Sequence, residues 1–190
     1  MRGGYQRLCS ALAERVTVRC GARVTAIRRG AAVTVELAGG ERLEFDRVIF
    51  TASPDELPAL LDADDEERNL LQRVRHYAYH VALVRGAGWP ASLTCVPRHF
   101  SAPAGDGRLV STLAPWPDHP AGTAYAIASP GLPAETVRVR LCEDLAALGV
   151  RQPEIVEHRA WKYFPHVAPG DFADGFHGKI EARQGRGGLY

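Results

Sequence analysis

Apolar and polar positions alternate along this chain with two periods, and the period changes mark the predicted elements. Leu8, Leu12 and Val16 stand near helical spacing and predict a short helix over residues 4–14. Val16-Thr17-Val18 then reads as a short strand, and Arg23 to Arg28 as a second. Ala32-Val33-Thr34-Val35-Glu36-Leu37 alternates with period two, turns at Gly39-Gly40, and returns from Arg42 to Phe45. Val48-Ile49-Phe50 is a continuous apolar run, the pattern of a buried strand. Ser53-Pro54-Asp55-Glu56 follows as a helix start, with Ser53 placed to cap, Pro54 at the first helical position and Glu56 in capping-box spacing. Leu57, Leu60 and Leu61 supply the apolar stripe of that helix.

The second half of the chain has a different rhythm. An acidic turn over residues 62–68 leads into a helix carrying Leu70, Leu71 and Val74. Tyr77, Tyr79, Val81 and Leu83 alternate with His76, Ala78, His80 and Ala82, which predicts one long strand with two usable faces. Residues 86–107, rich in Gly, Pro and Ala, predict loop and short strands. Leu109 to Leu113 and Thr123 to Ala128 are further strands. Pro133 opens a helix striped by Val137, Leu141, Leu145 and Leu148, and Gly149 ends it. Ile155 to Phe164 predicts a last strand, and the glycine-rich stretch 165–188 predicts irregular chain.

Composition narrows the function classes. Hydrophobic content of 46% and charged content of 24% fit a globular chain, and 190 residues suffice for a real core. Twenty-three Lys and Arg balance twenty-two Asp and Glu, so no polyanion-binding surface and no nucleic-acid role are expected. Cys9, Cys20, Cys95 and Cys142 lie far apart and form no Cys-x-x-Cys pair, as expected of free thiols in a reducing compartment. With no apolar signal core at the front and no apolar run long enough to span a bilayer, the expectation is a cytoplasmic protein without membrane association. His76 and His80 stand four apart, a ligand spacing on a helix. The pattern there is a strand, so no metal site is expected. No Gly-x-Ser-x-Gly elbow supports a hydrolase triad, and no burial signal around Lys162 or Lys179 supports imine chemistry.

Several segments together carry a resemblance. They are Gly3-Gly4-Tyr5-Gln6-Arg7-Leu8, Val24-Thr25-Ala26-Ile27-Arg28-Arg29 and Asp46-Arg47-Val48-Ile49-Phe50-Thr51-Ala52-Ser53-Pro54, with the tails Trp161-Lys162-Tyr163-Phe164-Pro165-His166-Val167 and Gly175 to Gly185. In this order they resemble the flavin-containing amine oxidase superfamily, over the middle and later part of such an enzyme. The resemblance implies an α+β fold: a mixed β-sheet with flanking helices, the substrate domain of an amine-oxidase-like flavoprotein plus part of its FAD domain. The implied division is residues 1–54 as FAD-domain strands and helix, 55–165 as substrate domain, and 166–190 as a return toward the FAD-binding end.

Carried over residue by residue, the resemblance implies that Val24 contacts the adenine of FAD. Thr51, Ala52 and Pro54 match the strand end against the nucleotide, and Trp161 a tryptophan beside the flavin ring. His80 stands where many amine oxidases place a lysine that holds a water near the flavin nitrogen, a departure that bears against amine oxidation itself. Tyr77 and Tyr79 would wall the substrate. No Gly-x-Gly-x-x-Gly is present, although that fingerprint normally cradles the pyrophosphate at a helix N-terminus. The implied function is a fragment of an FAD-dependent oxidoreductase that moves hydride from a C–N or C–C bond of a small-molecule substrate to flavin. A dinucleotide-binding partner chain or a homodimer would complete it. The alternative is a flavin-free remnant or subunit acting as a small-molecule binding or interaction module.

Overall fold

The computed structural model describes residues 4–101, 105–117 and 119–190. It divides into two compact units, Met1–Arg73 with Pro169–Tyr190, and Val74–Ala168. The fold is α+β, and the ladders of both its sheets are antiparallel.

In the first unit, helix α1 (Gly4–Ala13) precedes a three-stranded meander of β1 (Val24–Arg28), β2 (Val33–Leu37) and β3 (Arg42–Phe45). The period-two alternation of β2 buries Val33, Val35 and Leu37 on one side. The β2–β3 turn needs positive φ at Gly39 and Gly40, which glycine adopts without a Cβ clash. Helix α2 (Asp65–Leu71) begins at a reciprocal capping box. The Glu67 amide donates to Asp64 Oδ1 at 2.7 Å and the Asp64 amide to Glu67 Oε2 at 3.2 Å. Glu67, 5% exposed, also receives both guanidinium nitrogens of Arg29, at 2.7 and 2.8 Å. The Arg29 hydrogen bonds are the first cause of a Glu67 carboxyl held below its usual range, against the burial that opposes them.

Four local expectations are corrected in this unit. Residues 16–18 form no strand, because nothing pairs with them and both valines lie exposed. Val48-Ile49-Phe50 is not a buried strand: Ile49 is 74% exposed. Only Val48 and Phe50 turn inward, onto the cluster of Ile27, Val33 and Leu61. Their backbone is held by the chain end, with the Val48 amide donating to Gly188 O at 2.9 Å and the Phe50 amide to Tyr190 O at 2.7 Å. The helix at Ser53 is a single tight 3-10 stretch, Pro54–Ala59, because Pro58 cannot donate an α-helical bond. The expected irregular tail contains helices α4 (Pro169–Ala173) and α5 (Phe176–Glu181), which anchor through buried Phe176 and an Arg73–Asp171 ion pair at 3.1 Å.

The second unit is a five-stranded sheet with one helix across it. Its strands are β4 (Arg75–Ala87), β5 (Thr94–Cys95), β6 (Leu109–Leu113), β7 (Ala121–Ala128) and β8 (Arg151–His166), in the order β5-β6-β7-β4-β8. Helix α3 (Ala134–Ala147) covers one face. Val137, Leu141 and Leu145 of α3 are fully buried against Ala82, Val84, Ala124, Ala126 and Ala128, small residues that let the helix approach the sheet closely. The helix ends in a Schellman turn at Gly149 (φ +93). The Val150 amide donates to Leu145 O and the Gly149 amide to Ala146 O, each at 3.0 Å.

Candidate functional site

The side of the sheet away from α3 carries the candidate site. Ala82 and Val84 belong to the core beneath α3, so the period of two turns Tyr77, Tyr79 and Val81 to the opposite face. The antiparallel register sets Tyr163 across from Tyr77, Trp161 across from Tyr79, and Arg159 across from Val81. From β7, Ile127 and Tyr125 flank Tyr79 and Val81 on the other side. Tyr79 sits at the centre of this patch. Its ring stacks on Tyr163 at 5.4 Å and Tyr125 at 5.9 Å and meets the edge of Phe164 at 5.6 Å, separations at which aromatic pairs attract. Tyr77 stacks on His166 at 4.5 Å. Burial, followed by Tyr125 and Tyr163, holds the Tyr79 phenol above its usual pKa, so it stays a neutral donor.

Phe164 takes φ +53 inside β8, a conformation that L residues with side chains rarely adopt. That backbone places its ring against both Tyr79 and Tyr163. Two concavities adjoin the patch. One, of about 620 Å³, is lined by Tyr77, Trp161, Arg75, Lys162, His166 and Pro130. The other, of about 350 Å³, lies among Tyr77, Phe164, Phe100, His99, Ile127 and Asp106. Among the described residues that line the first are aromatic and basic side chains and no Asp or Glu. Trp161 is 50% exposed there, open to a ligand.

His80 lies on the other face. It is 2% exposed, between Ala126 and Ala160 on the adjacent strands, and its Nδ1 is 3.0 Å from Nε2 of His158. Burial and then His158 keep the His80 imidazole below its usual pKa, while burial and then Arg138 do the same for His158. The pair is therefore neutral at pH 7, with one ring donating to the other. His80 Nε2 is buried and has no hydrogen-bond partner among the described residues. The structure thus brings Tyr77, Tyr79 and Trp161 onto one face and sets His80 behind it.

The expected nucleotide residues lie in the first unit. Val24 opens β1, half-buried beside the Ile27–Val33 cluster, Thr51 and Ala52 are exposed, and Pro54 begins the 3-10 turn. These positions present backbone and small side chains at the surface of the first unit. They do not amount to a full FAD holder, because the sequence has no Gly-x-Gly-x-x-Gly turn to take the pyrophosphate. Among the described residues, no group of three or more His, Cys, Asp and Glu side chains is arranged to hold a metal, and no helix is long and apolar enough to cross a membrane. Sequence reasoning missed Tyr125, Tyr163, Phe164 and His158. Tyr163 stands two residues from Trp161, so strand period alone places the two on one face. Tyr125 and His158 depend on register, which no local pattern carries.

Comparison with known proteins accords with this architecture. No curated protein matches the chain in sequence. Among solved structures, a CLA-producing fatty acid isomerase from P. acnes superposes with TM-score 0.79 at 26% identity, over 89% of this chain and 41% of that one. Wild-type putrescine oxidase bound to putrescine gives TM-score 0.67 at 17% identity, over 99% and 46%. Reduced UDP-galactopyranose mutase gives 0.71 at 15%, over 94% and 42%. The chain therefore spans less than half the length of each of these structures. The profile of the family "Flavin containing amine oxidoreductase" matches residues 1–173, about nine-tenths of the chain, and the chain belongs to that family.

Proposed function

We propose that this chain supplies the substrate-facing sheet and part of the nucleotide side of an FAD-dependent oxidoreductase, and that its substrate is an apolar molecule with an anionic end. The carrying observation is the groove beside Trp161. Aromatic rings form its apolar wall, while Arg75, Lys162 and His166 make it basic. An aliphatic or aromatic body would bury against Tyr77, Trp161 and Pro130, at about 25 cal/mol per Å² of apolar area removed from water. A carboxylate or phosphate end would meet the basic residues. A polyamine would carry ammonium groups into a groove with no carboxylate to receive them, and the cation–π attraction of exposed rings is small beside that loss. The reaction class is then hydride transfer to flavin from a C–C bond in preference to a C–N bond. The isomerase similarity supports this reading, since that protein is named for a fatty acid.

Within this reading Trp161 and Tyr77 orient the substrate, and Tyr79 backs the aromatic face through its stacking on Tyr163 and Tyr125. His80 acts from behind the sheet, through β4, on the placement of Tyr79. Val24, Thr51, Ala52 and Pro54 lie on the adenosine side, with the pyrophosphate held by residues of a dinucleotide-binding portion. The flavin-free binding module remains the second reading. It would use the same groove.

Fluorescence titration of the full chain tests the substrate assignment. A long-chain carboxylate is expected to give a saturable change in tryptophan emission that Trp161→Phe abolishes, while putrescine gives none. Saturation by putrescine alone overturns the assignment.

A further inference from the structure

Strand β8 forms one edge of the five-stranded sheet, and at sixteen residues it is the longest strand of the chain. An edge of this length offers a row of unpaired backbone groups to another strand. Gln152 (φ +51) with Pro153 and Phe164 (φ +53) with Pro165 bound the pairing segment, which carries one bulge at Val156 and four charged side chains. Between them, residues 154–163 (Glu-Ile-Val-Glu-His-Arg-Ala-Trp-Lys-Tyr) contain neither Gly nor Pro and are rich in strand-forming side chains. Val156, Trp161 and Tyr163 on this edge strand are large and exposed.

The charges on this segment are complementary to themselves in one antiparallel register. Glu157 and Arg159 stand across from Leu83 and Val81, so both lie on the open face, and they already pair with each other at 3.0 Å. A two-fold axis through His158 and perpendicular to the sheet sets Glu157 of each copy opposite Arg159 of the other, closing a ring of four alternating charges. The neighbouring registers that keep both open faces on one side centre on Glu157 or on Arg159 and set like charges opposite each other, which is destabilising. The ladder would also stop where the chain already turns away, at Pro153 and Phe164.

We propose that two copies of this chain associate through β8, edge to edge and antiparallel about His158, into one ten-stranded sheet. The two aromatic faces then lie side by side on the same surface. This pairing does not depend on flavin or on the substrate assignment.

Sedimentation equilibrium of the full chain tests it. The wild type is expected at twice the 20.7 kDa chain mass. Glu157→Arg faces Arg159 of the second copy with a like charge, and is expected to raise the dimer dissociation constant roughly tenfold or more. Because Glu157 is exposed, the far-UV circular dichroism and Tm of this variant should match a monomeric wild type. The double variant Glu157→Arg with Arg159→Glu restores the alternating ring and should restore the dimer. Monomeric wild type at all concentrations overturns the proposal, as does wild type that changes mass only when a different polypeptide is added. A Glu157→Arg chain that still dimerises, or a double variant that does not recover, overturns the register.

Discussion

Tyr79 and His80 are neighbours in sequence and face opposite ways across β4, so they meet different chemistry. Tyr79 joins a ring cluster on the open face, and His80 is enclosed among alanines beneath α3 with His158 as its polar contact. An imidazole in that setting refuses a proton that the unfolded chain accepts. Both histidines are depressed in the folded state, so their contribution is fully present above the ordinary histidine pKa of about 6.5. It is lost as pH falls below that value, because protons then bind the unfolded chain preferentially. Thermal melts from about pH 8 to about pH 5 should therefore show Tm dropping through the histidine range. His80→Gln, which keeps a polar side chain of similar reach and removes the titration, should flatten that drop. A wild-type Tm that holds or rises as pH falls through this range would contradict the buried pair. Burial at this site was not legible in the sequence. His80 stands in a clean alternation, but the alternation does not say which face α3 covers.

At the scale of elements, the face that receives α3 is set by residue size. Ala82, Ala124, Ala126 and Ala128 leave room on one side of the sheet, and the stripe of Val137, Leu141 and Leu145 fills it. Tyr77, Tyr79, Tyr125 and Tyr163 crowd the other side and leave their rings to water or to a ligand. Leu141 lies at the centre of this packing and is fully buried, so Leu141→Ala should cost about 2–5 kcal/mol, read from the shift in a denaturant midpoint. Such a loss would loosen the sheet that carries the aromatic patch. The helix stripe, its start after Pro133 and its stop at Gly149 were all legible, because each is a local signal of spacing and turn chemistry. The failures have a common cause. Val16, Val18 and Ile49 are apolar in a strand-like pattern, yet they remain exposed, since burial needs a partner surface and not only a hydrophobic side chain. Helices α4 and α5 escaped notice because Gly170, Gly175 and Gly178 mask short helical turns that are held by tertiary contacts at Phe176 and Asp171.

At the scale of the whole molecule, the question is how much of a flavin site one chain of this length provides. It aligns with less than half of each of these solved structures, and its sequence contains no Gly-x-Gly-x-x-Gly fingerprint. A pyrophosphate with no cluster of backbone amides to hold it binds weakly, so FAD added to the purified chain should keep the visible absorption of the free cofactor. A shifted, structured band that survives gel filtration would show that residues outside the fingerprint suffice to hold flavin, and would count against the flavin-free reading. The sequence by itself determined the helix from Pro133 to Gly149 and the long strand with two faces, written in periodicity and turn residues, and, through the order of its motifs, the family and with it the α+β class. Tertiary structure alone decided which face α3 covers. It also decided that Trp161 stands opposite Tyr79, that His80 shares a proton with His158, and that Glu67 is buried under Arg29. Each of those facts depends on strand register or on contacts between residues far apart in the chain, and local pattern carries neither.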